Sequence, residues 1–309
     1  MKKLFVLRLE GGLGNQLFQY AHARAMQLKY GGTLLFDTHA YNAKQIRSLS
    51  LHKLSIPETH HTKSLSLIAK LKFKWLQVKH MLWMRGWLKN PSSLQQEEYE
   101  ELVKQGLYLQ YQSTNFPSFI APTSYLNYIS GNYLAPDFFK GAEQVLKEEL
   151  RVRTPLNEAN QAMLKRIQSC NAVCLHVRLG DYVSPEWRDK LYICTPAYYA
   201  EAVERIKESV DQPIFFIFSN TSKDFEWLKE NIRIAAEVVY VNLSNSGTDD
   251  FRLMYSCKHF IMSNSTYSWW AQWMGNDAGK IVVAPSRFNN YPKWDMSSIY
   301  QTHWQLITI

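Results

Sequence analysis

An α/β protein of two doubly wound, Rossmann-like domains facing a cleft is what this sequence of 309 residues predicts. Three observations carry the reading. A strand, a glycine loop, a helix and a second strand open the chain. Strand and helix patterns alternate again from Asn171 to Ser286, as a parallel sheet covered on both faces requires. Between them, from about residue 60 to 110, the pattern is helical with no convincing strand, which predicts a helical insertion in the first domain. The expected domains are 1–155 and 156–309, crossing near Arg151 to Asn160. An apolar share of 46% excludes a disordered chain and suits domains of this size.

In chain order, Leu4 to Leu9 is mostly apolar, as in a strand buried on both faces. GGLGNQLFQYA, Gly11 to Ala21, follows it. A helix is expected from about Gln16 to Tyr30, closed by Gly31-Gly32 as a left-handed cap, and Thr33 to Phe36 is a strand ending in Asp37. A dinucleotide fingerprint would need a third glycine where Leu17 stands, and Asp37 lies slightly too far along. Gly12 and Gly14 instead let backbone approach a ligand closely, and the Asn15 and Gln16 carboxamides donate and accept together, as sugar hydroxyls require. A tight turn with no ligand is the alternative.

In the insertion, Ile68, Leu71, Trp75, Val78 and Leu82 recur at helical spacing. No acidic residue lies between Glu58 and Glu97, while Lys63, Lys70, Lys72, Lys74, Lys79, Arg85 and Lys89 hold nearly all of the +8 net charge. Such a helix either packs on the first sheet or lies on an anionic bilayer.

The second half reads AVCLHV as strand, Pro196 to Val210 as helix, IFFIFS as strand and Lys223 to Asn231 as helix. It continues with the strand VVYVNL, a helix from about Asp249 to Cys257, the strand HFIMS, a helix from about Thr266 to Met274 and the strand KIVVAPS. Ligands of open parallel sheets bind beyond the carboxyl ends of the strands, near helix N-termini. In HVRLGDY, His176 and Arg178 share a strand face, and the planar fork of Arg178 suits a diphosphate unless it only pairs with Asp181. In SNSTYSWWAQW, Asn264, Ser265 and Thr266 start a helix, as plain caps or as phosphate donors, and the tryptophans read as core. Asp249 and Asp250 sit at another helix start, where a carboxylate suits the dipole or accepts from ribose or the guanine edge.

The four cysteines form no CxxC and have no histidine at zinc-ligand spacing, so no metal site is expected. MKKLFVLRLEGG is broken by Arg8 and Glu10, and no apolar run reaches the roughly 20 residues of a membrane span. A soluble, cytoplasmic protein is expected, peripheral at the inner face of the plasma membrane if the basic 63–89 region binds lipid.

Together, GGLGNQLFQYA, HVRLGDY and DDFRLMYSCKHFIMSNSTYSWWAQW, in this order, resemble the bacterial α-1,2-fucosyltransferases. The resemblance spans nearly the whole chain and is weakest from about 40 to 130. It implies a GT-B glycosyltransferase that moves L-fucose with inversion from GDP-fucose to the 2-hydroxyl of a galactoside. No metal or other cofactor is implied, and the partners are a GDP-sugar and a glycan acceptor, with no nucleic acid. By position, His176 and Arg178 match the donor-binding pair, Asp250 the carboxylate at the nucleoside, and Asn264, Ser265 and Thr266 the segment around the phosphates. The glycine loop would face fucose and acceptor from the first domain. Asp181 and Glu186 are the nearest carboxylates for a general base, unless the reaction needs neither. The family usually has a second Arg where Leu179 stands, and an SDD where Ser219-Asn220-Thr221 stands. Another GDP-sugar donor, a dinucleotide-dependent oxidoreductase and a non-catalytic glycan or nucleic-acid binder are the competing readings.

Overall fold

The computed structural model describes residues 2–41, 48–57, 65–89, 96–111, 119–219, 221–276, 278–291 and 294–309. The chain divides into two compact units, Met1–Leu150 and Arg151–Ile309.

The first unit runs β1 (Leu4–Arg8), α1 (Leu13–Tyr30), β2 (Thr33–Asp37), α2 (Leu67–Lys89), α3 (Gln96–Lys104), β3 (Leu107–Gln110), β4 (Leu126–Gly131) and α4 (Glu143–Glu149). Its sheet has the order β2-β1-β4-β3 with every pairing parallel. Helix α1 starts at Leu13, earlier than the apolar pattern suggests, because Gly12 in extended backbone already serves as its N-cap. It ends at Gly31, and the following Gly32 has φ +110°, where a Cβ would lie 2.3 Å from the Lys3 carbonyl oxygen.

Two features differ from expectation. The interval to residue 110 is not purely helical, since Leu107–Gln110 is a strand; its four residues are all buried and show no alternation to betray it. Helix α2 does pack on the sheet, but through the face bearing Ala69 and Leu76, which join Leu4, Val6, Leu35 and Leu126 in the core. The apolar row singled out in the sequence points the other way: Ile68 is 79% exposed, Leu71 64% and Leu82 57%.

The second unit runs α5 (Glu158–Gln168), β5 (Asn171–His176), α6 (Arg188–Leu191), α7 (Pro196–Ser209), β6 (Pro213–Phe218) and α8 (Ser222–Asn231). It continues with β7 (Glu237–Tyr240), α9 (Gly247–Tyr255), β8 (His259–Ile261), α10 (Thr266–Met274), β9 (Val282–Pro285) and β10 (Gln305–Ile307). The sheet order is β10-β9-β8-β5-β6-β7, again with parallel pairings. Val173, Leu175, Phe215, Ile217, Ile261 and Val283 pack against α7 through Tyr198, Tyr199, Val203 and Ile206. Trp269 and Trp270 are wholly buried, so they belong to the core. From β5 the chain winds outward to β6 and β7, then returns to lay β8, β9 and β10 on the other side. The gap between the carboxyl ends of β5 and β8 is therefore the topological switch point, where doubly wound sheets bind ligands.

Candidate active site

His176 closes β5 and Ser263 follows β8, so the parallel pairing of those strands brings both side chains to the switch point. The imidazole Nδ1 is hydrogen-bonded to the Ser263 hydroxyl at 2.8 Å. Burial, aided by the nearby Arg178 cation, pushes the His176 pKa down to about 3, so the ring is neutral at physiological pH. Two residues on, Arg178 Nη2 donates to Asp181 Oδ1 at 2.6 Å, and its guanidinium carbon lies 5.2 Å from the Tyr182 ring centre. The Arg–Asp pair weighed in the sequence is thus formed. It does not exhaust the arginine: Nε is buried and has no hydrogen-bond partner. An orphaned donor on a buried cation is costly unless an acceptor arrives.

Beside it, α10 opens at Ser265 without a side-chain cap and with no acidic residue in its first turn. The Tyr267 hydroxyl in that turn donates to the Gly247 carbonyl at 2.6 Å, fastening the start of α10 to the start of α9. There Asp250 accepts from Asn245 Nδ2 at 2.8 Å, and Asn245 exchanges amide bonds of 2.7 and 2.9 Å with Asn160. Burial, reinforced by neighbouring Asp249 and partly offset by Asn245, raises the Asp250 pKa from 3.8 to about 6.

Two residues expected at a ligand are instead committed to the protein. The Asn264 amide donates to the carbonyls of Leu191 and Phe288, each at 2.9 Å, and Tyr182 donates to its backbone carbonyl at 3.2 Å. Asn264 therefore knits together the loops that follow β5, β8 and β9. In the first unit, Gln16 is fully buried: Nε2 donates to Gly11 O (3.0 Å) and Ser48 O (2.9 Å), and Oε1 accepts from Ser50 N (2.9 Å). A carboxamide so engaged holds the loop, with both amide hydrogens given to backbone carbonyls. Gln19, unremarked in the sequence, does the same for Glu10, bonding its backbone N–H at 3.1 Å and its carbonyl at 3.2 Å. Gly12, Gly14 and Asn15 remain at the opening of α1, which has no side-chain cap. Gly11, just before them, has φ +80°, and a Cβ there would meet Asn15 Nδ2 at 2.8 Å.

The structure brings together His176, Arg178, Asp181, Asn264, Ser265 and Thr266 at the switch point, and Tyr267 ties to them the start of α9, the helix that carries Asp250. Glu186 is exposed, in the loop before α6. Ser263, Tyr182, Tyr267 and Asn245 went unnoticed in the sequence; Ser263 and Tyr267 stand inside the SNSTYSWWAQW stretch and Tyr182 inside HVRLGDY, the only signal they give. Asn220 lies outside the described residues. Among the described residues, no group of three or more His, Cys, Asp or Glu side chains could hold a metal. The cavity of about 710 Å³ walled by Lys207 to Ile214 and Ala235 to Glu237 sits at the amino ends of β6 and β7, away from this chemistry.

An arginine fork, an uncapped helix start and a nearby half-buried carboxyl at a switch point are the means by which α/β sheets hold nucleotides. Comparison with known proteins agrees. A family model described as glycosyl transferase family 11 matches residues 1–308, and the chain belongs to that family of glycosyltransferases. It is 28% identical over 296 residues to an alpha-1,2-colitosyltransferase of Escherichia coli, spanning 92% of this chain and 91% of that protein. It is also 28% identical over 313 residues to the O-antigen biosynthesis glycosyltransferase WbnK of Escherichia coli, spanning 94% and 97%. A galactoside alpha-(1,2)-fucosyltransferase 1 from Saimiri boliviensis boliviensis matches 47% of this chain and 42% of its own length at 28% identity. Among solved structures, a FUT1 variant of Arabidopsis thaliana in complex with GDP aligns with TM-score 0.52 and 16% identity over 95% of this chain and 72% of that one. NodZ alpha-1,6-fucosyltransferase co-crystallised with GDP gives TM-score 0.52 and 13% identity over 89% and 93%. The fold is of the α/β, GT-B-like class.

Proposed function

We propose that the chain transfers L-fucose from GDP-fucose, with inversion and without a metal ion, to the 2-hydroxyl of a galactoside in an oligosaccharide or surface glycan. Departure of GDP leaves positive character on the sugar and growing negative charge on the diphosphate. Arg178 and the first turn of α10 receive that charge, and neutral His176, fixed by Ser263, lines the same place. Asp250 accepts from the guanine edge, and the donors of guanine restore its ionised form. Asp181 holds Arg178 in position. Gly12, Gly14 and Asn15 of the glycine loop bind sugar hydroxyls. The reaction takes place in the cytoplasm.

The observation that carries this reading is the buried, unpaired Nε of Arg178 beside a helix that begins without a cap. Arg178→Lys keeps the charge but loses the fork, and loss of one preorganised donor costs about 100- to 1000-fold in turnover. Turnover measured with GDP-fucose and a β-galactoside, with EDTA present, tests both parts. Turnover equal to the parent's would reject the role of Arg178, and abolition by EDTA would reject metal independence. The colitosyltransferase relative favours one second reading, another GDP-sugar as donor. Comparing kcat/KM for GDP-fucose, GDP-colitose and GDP-mannose decides between them.

A further inference from the structure

The apolar row of α2 is left over once the fold and the transfer reaction are accounted for. Leu67, Ile68, Leu71, Trp75, Val78, Met81 and Leu82 are all exposed on a helix whose opposite face is buried. At 3.6 residues per turn, Lys70, Lys74 and Arg85 fall along one edge of the row, and Lys72 and Lys79 along the other. The second edge is anchored: Lys72 Nζ donates to Ser124 Oγ at 2.5 Å, Lys79 donates to Gln105, and the Lys79 ammonium lies 4.1 Å from the Trp75 ring centre. Contiguous exposure of this kind exceeds the scattered apolar residues of ordinary surfaces.

We infer that this face is a docking surface for an anionic phospholipid bilayer, with α2 lying along the lipid surface. The charge pattern selects the occupant. A second copy would bring like-charged rows together, since α2 contains no acidic residue. The face is the convex side of a helix, so a flat, deformable surface covers it readily. Lysine and arginine stems can lie over acyl chains while their cations reach the headgroups on either side. Among the described residues no helix is long and apolar enough to cross a membrane, so the contact is peripheral. The inference is independent of the proposed reaction, because lipid binding is read without donor or acceptor.

Flotation of the full chain with two kinds of vesicle tests it, phosphatidylcholine alone and phosphatidylcholine mixed with phosphatidylglycerol. The chain is expected to float with the mixed vesicles and to be released by salt. Each surface cation strengthens such binding roughly fivefold, so the K70Q/K74Q/R85Q variant should bind on the order of 100-fold more weakly. The L71Q/W75Q/L82Q variant should lose binding at any salt concentration. Both sets of positions are exposed, so unfolding curves should match the parent's; should the apolar variant misfold, the charge variant and the salt series still decide. Three results would overturn the assignment: no flotation, equal flotation with neutral vesicles, or flotation unchanged in the charge variant. Concentration-dependent self-association abolished by Trp75→Gln, without vesicle binding, would assign the face to a second copy.

Discussion

Replacing Asp250 by asparagine should stabilise the unliganded protein and, on the proposed function, weaken GDP binding. The carboxyl is half-buried, and its pKa stands near 6 against an ordinary 3.8. A carboxyl whose pKa is raised on folding stabilises the fold below pH 4 and loses that contribution as pH climbs to 6. At pH 8 the folded state carries the whole ionisation penalty, on the order of 3 kcal/mol for a shift of this size. The substituted amide would keep an oxygen for Asn245 Nδ2 and carry no charge, so unfolding at pH 8 should require about 2–3 kcal/mol more, or roughly 4–10 °C in Tm. The advantage should fade below pH 6 and vanish near pH 4. An amide offers one acceptor where the carboxylate offers two, so GDP affinity should fall about 30- to 100-fold. Thermal unfolding at pH 8 and pH 5, with and without GDP, reads both effects. A variant less stable than its parent at pH 8, or one stabilised equally by GDP, would refute the reasoning.

Asp181→Asn should cut turnover roughly tenfold or more by freeing Arg178, whereas Glu186→Gln should change it less than about threefold; a larger loss at Glu186, read in the pH–rate profile, would make that residue the base. Gln16→Ala removes three hydrogen bonds to backbone and orphans the Ser50 N–H, while Gly11 O keeps the Tyr41 hydroxyl, and should cost about 1–3 kcal/mol, visible as a lowered urea midpoint. Burial holds His22 and His80 near pKa 4 and His176 near 3. Below pH 6.5 the unfolded chain takes up protons that these rings refuse, so stability should fall as pH drops, and the slope should lessen in His176→Gln.

Much of the second unit is legible in its sequence because each strand there is a compact apolar run with helix on either side. IFFIFS, for instance, matches Pro213–Phe218 to within one residue at each end, and TYSWWAQWM is α10 without adjustment. The first unit is harder past β2. LYLQ carries too few residues to establish a period, and its burial comes from pairing with β4, a contact that sequence order does not reveal. In α2 the periodic row was plain, but periodicity cannot say which side of a helix meets the sheet when both sides are apolar. The site shows a similar limit. Residue types at strand ends pointed to Arg178 and Asp250, while the distinction between a carboxamide that greets a ligand and one that serves the backbone, as in Gln16 and Asn264, depends on neighbours far along the chain.

Asn264 has a consequence for how this unit can vary. A single side chain spans two connections of the sheet, so lengthening either one near Leu191 or Phe288 would pull on the first turn of α10. The rim that carries the candidate site is drawn together at Asn264, and change there has to come by exchange of side chains at constant loop length.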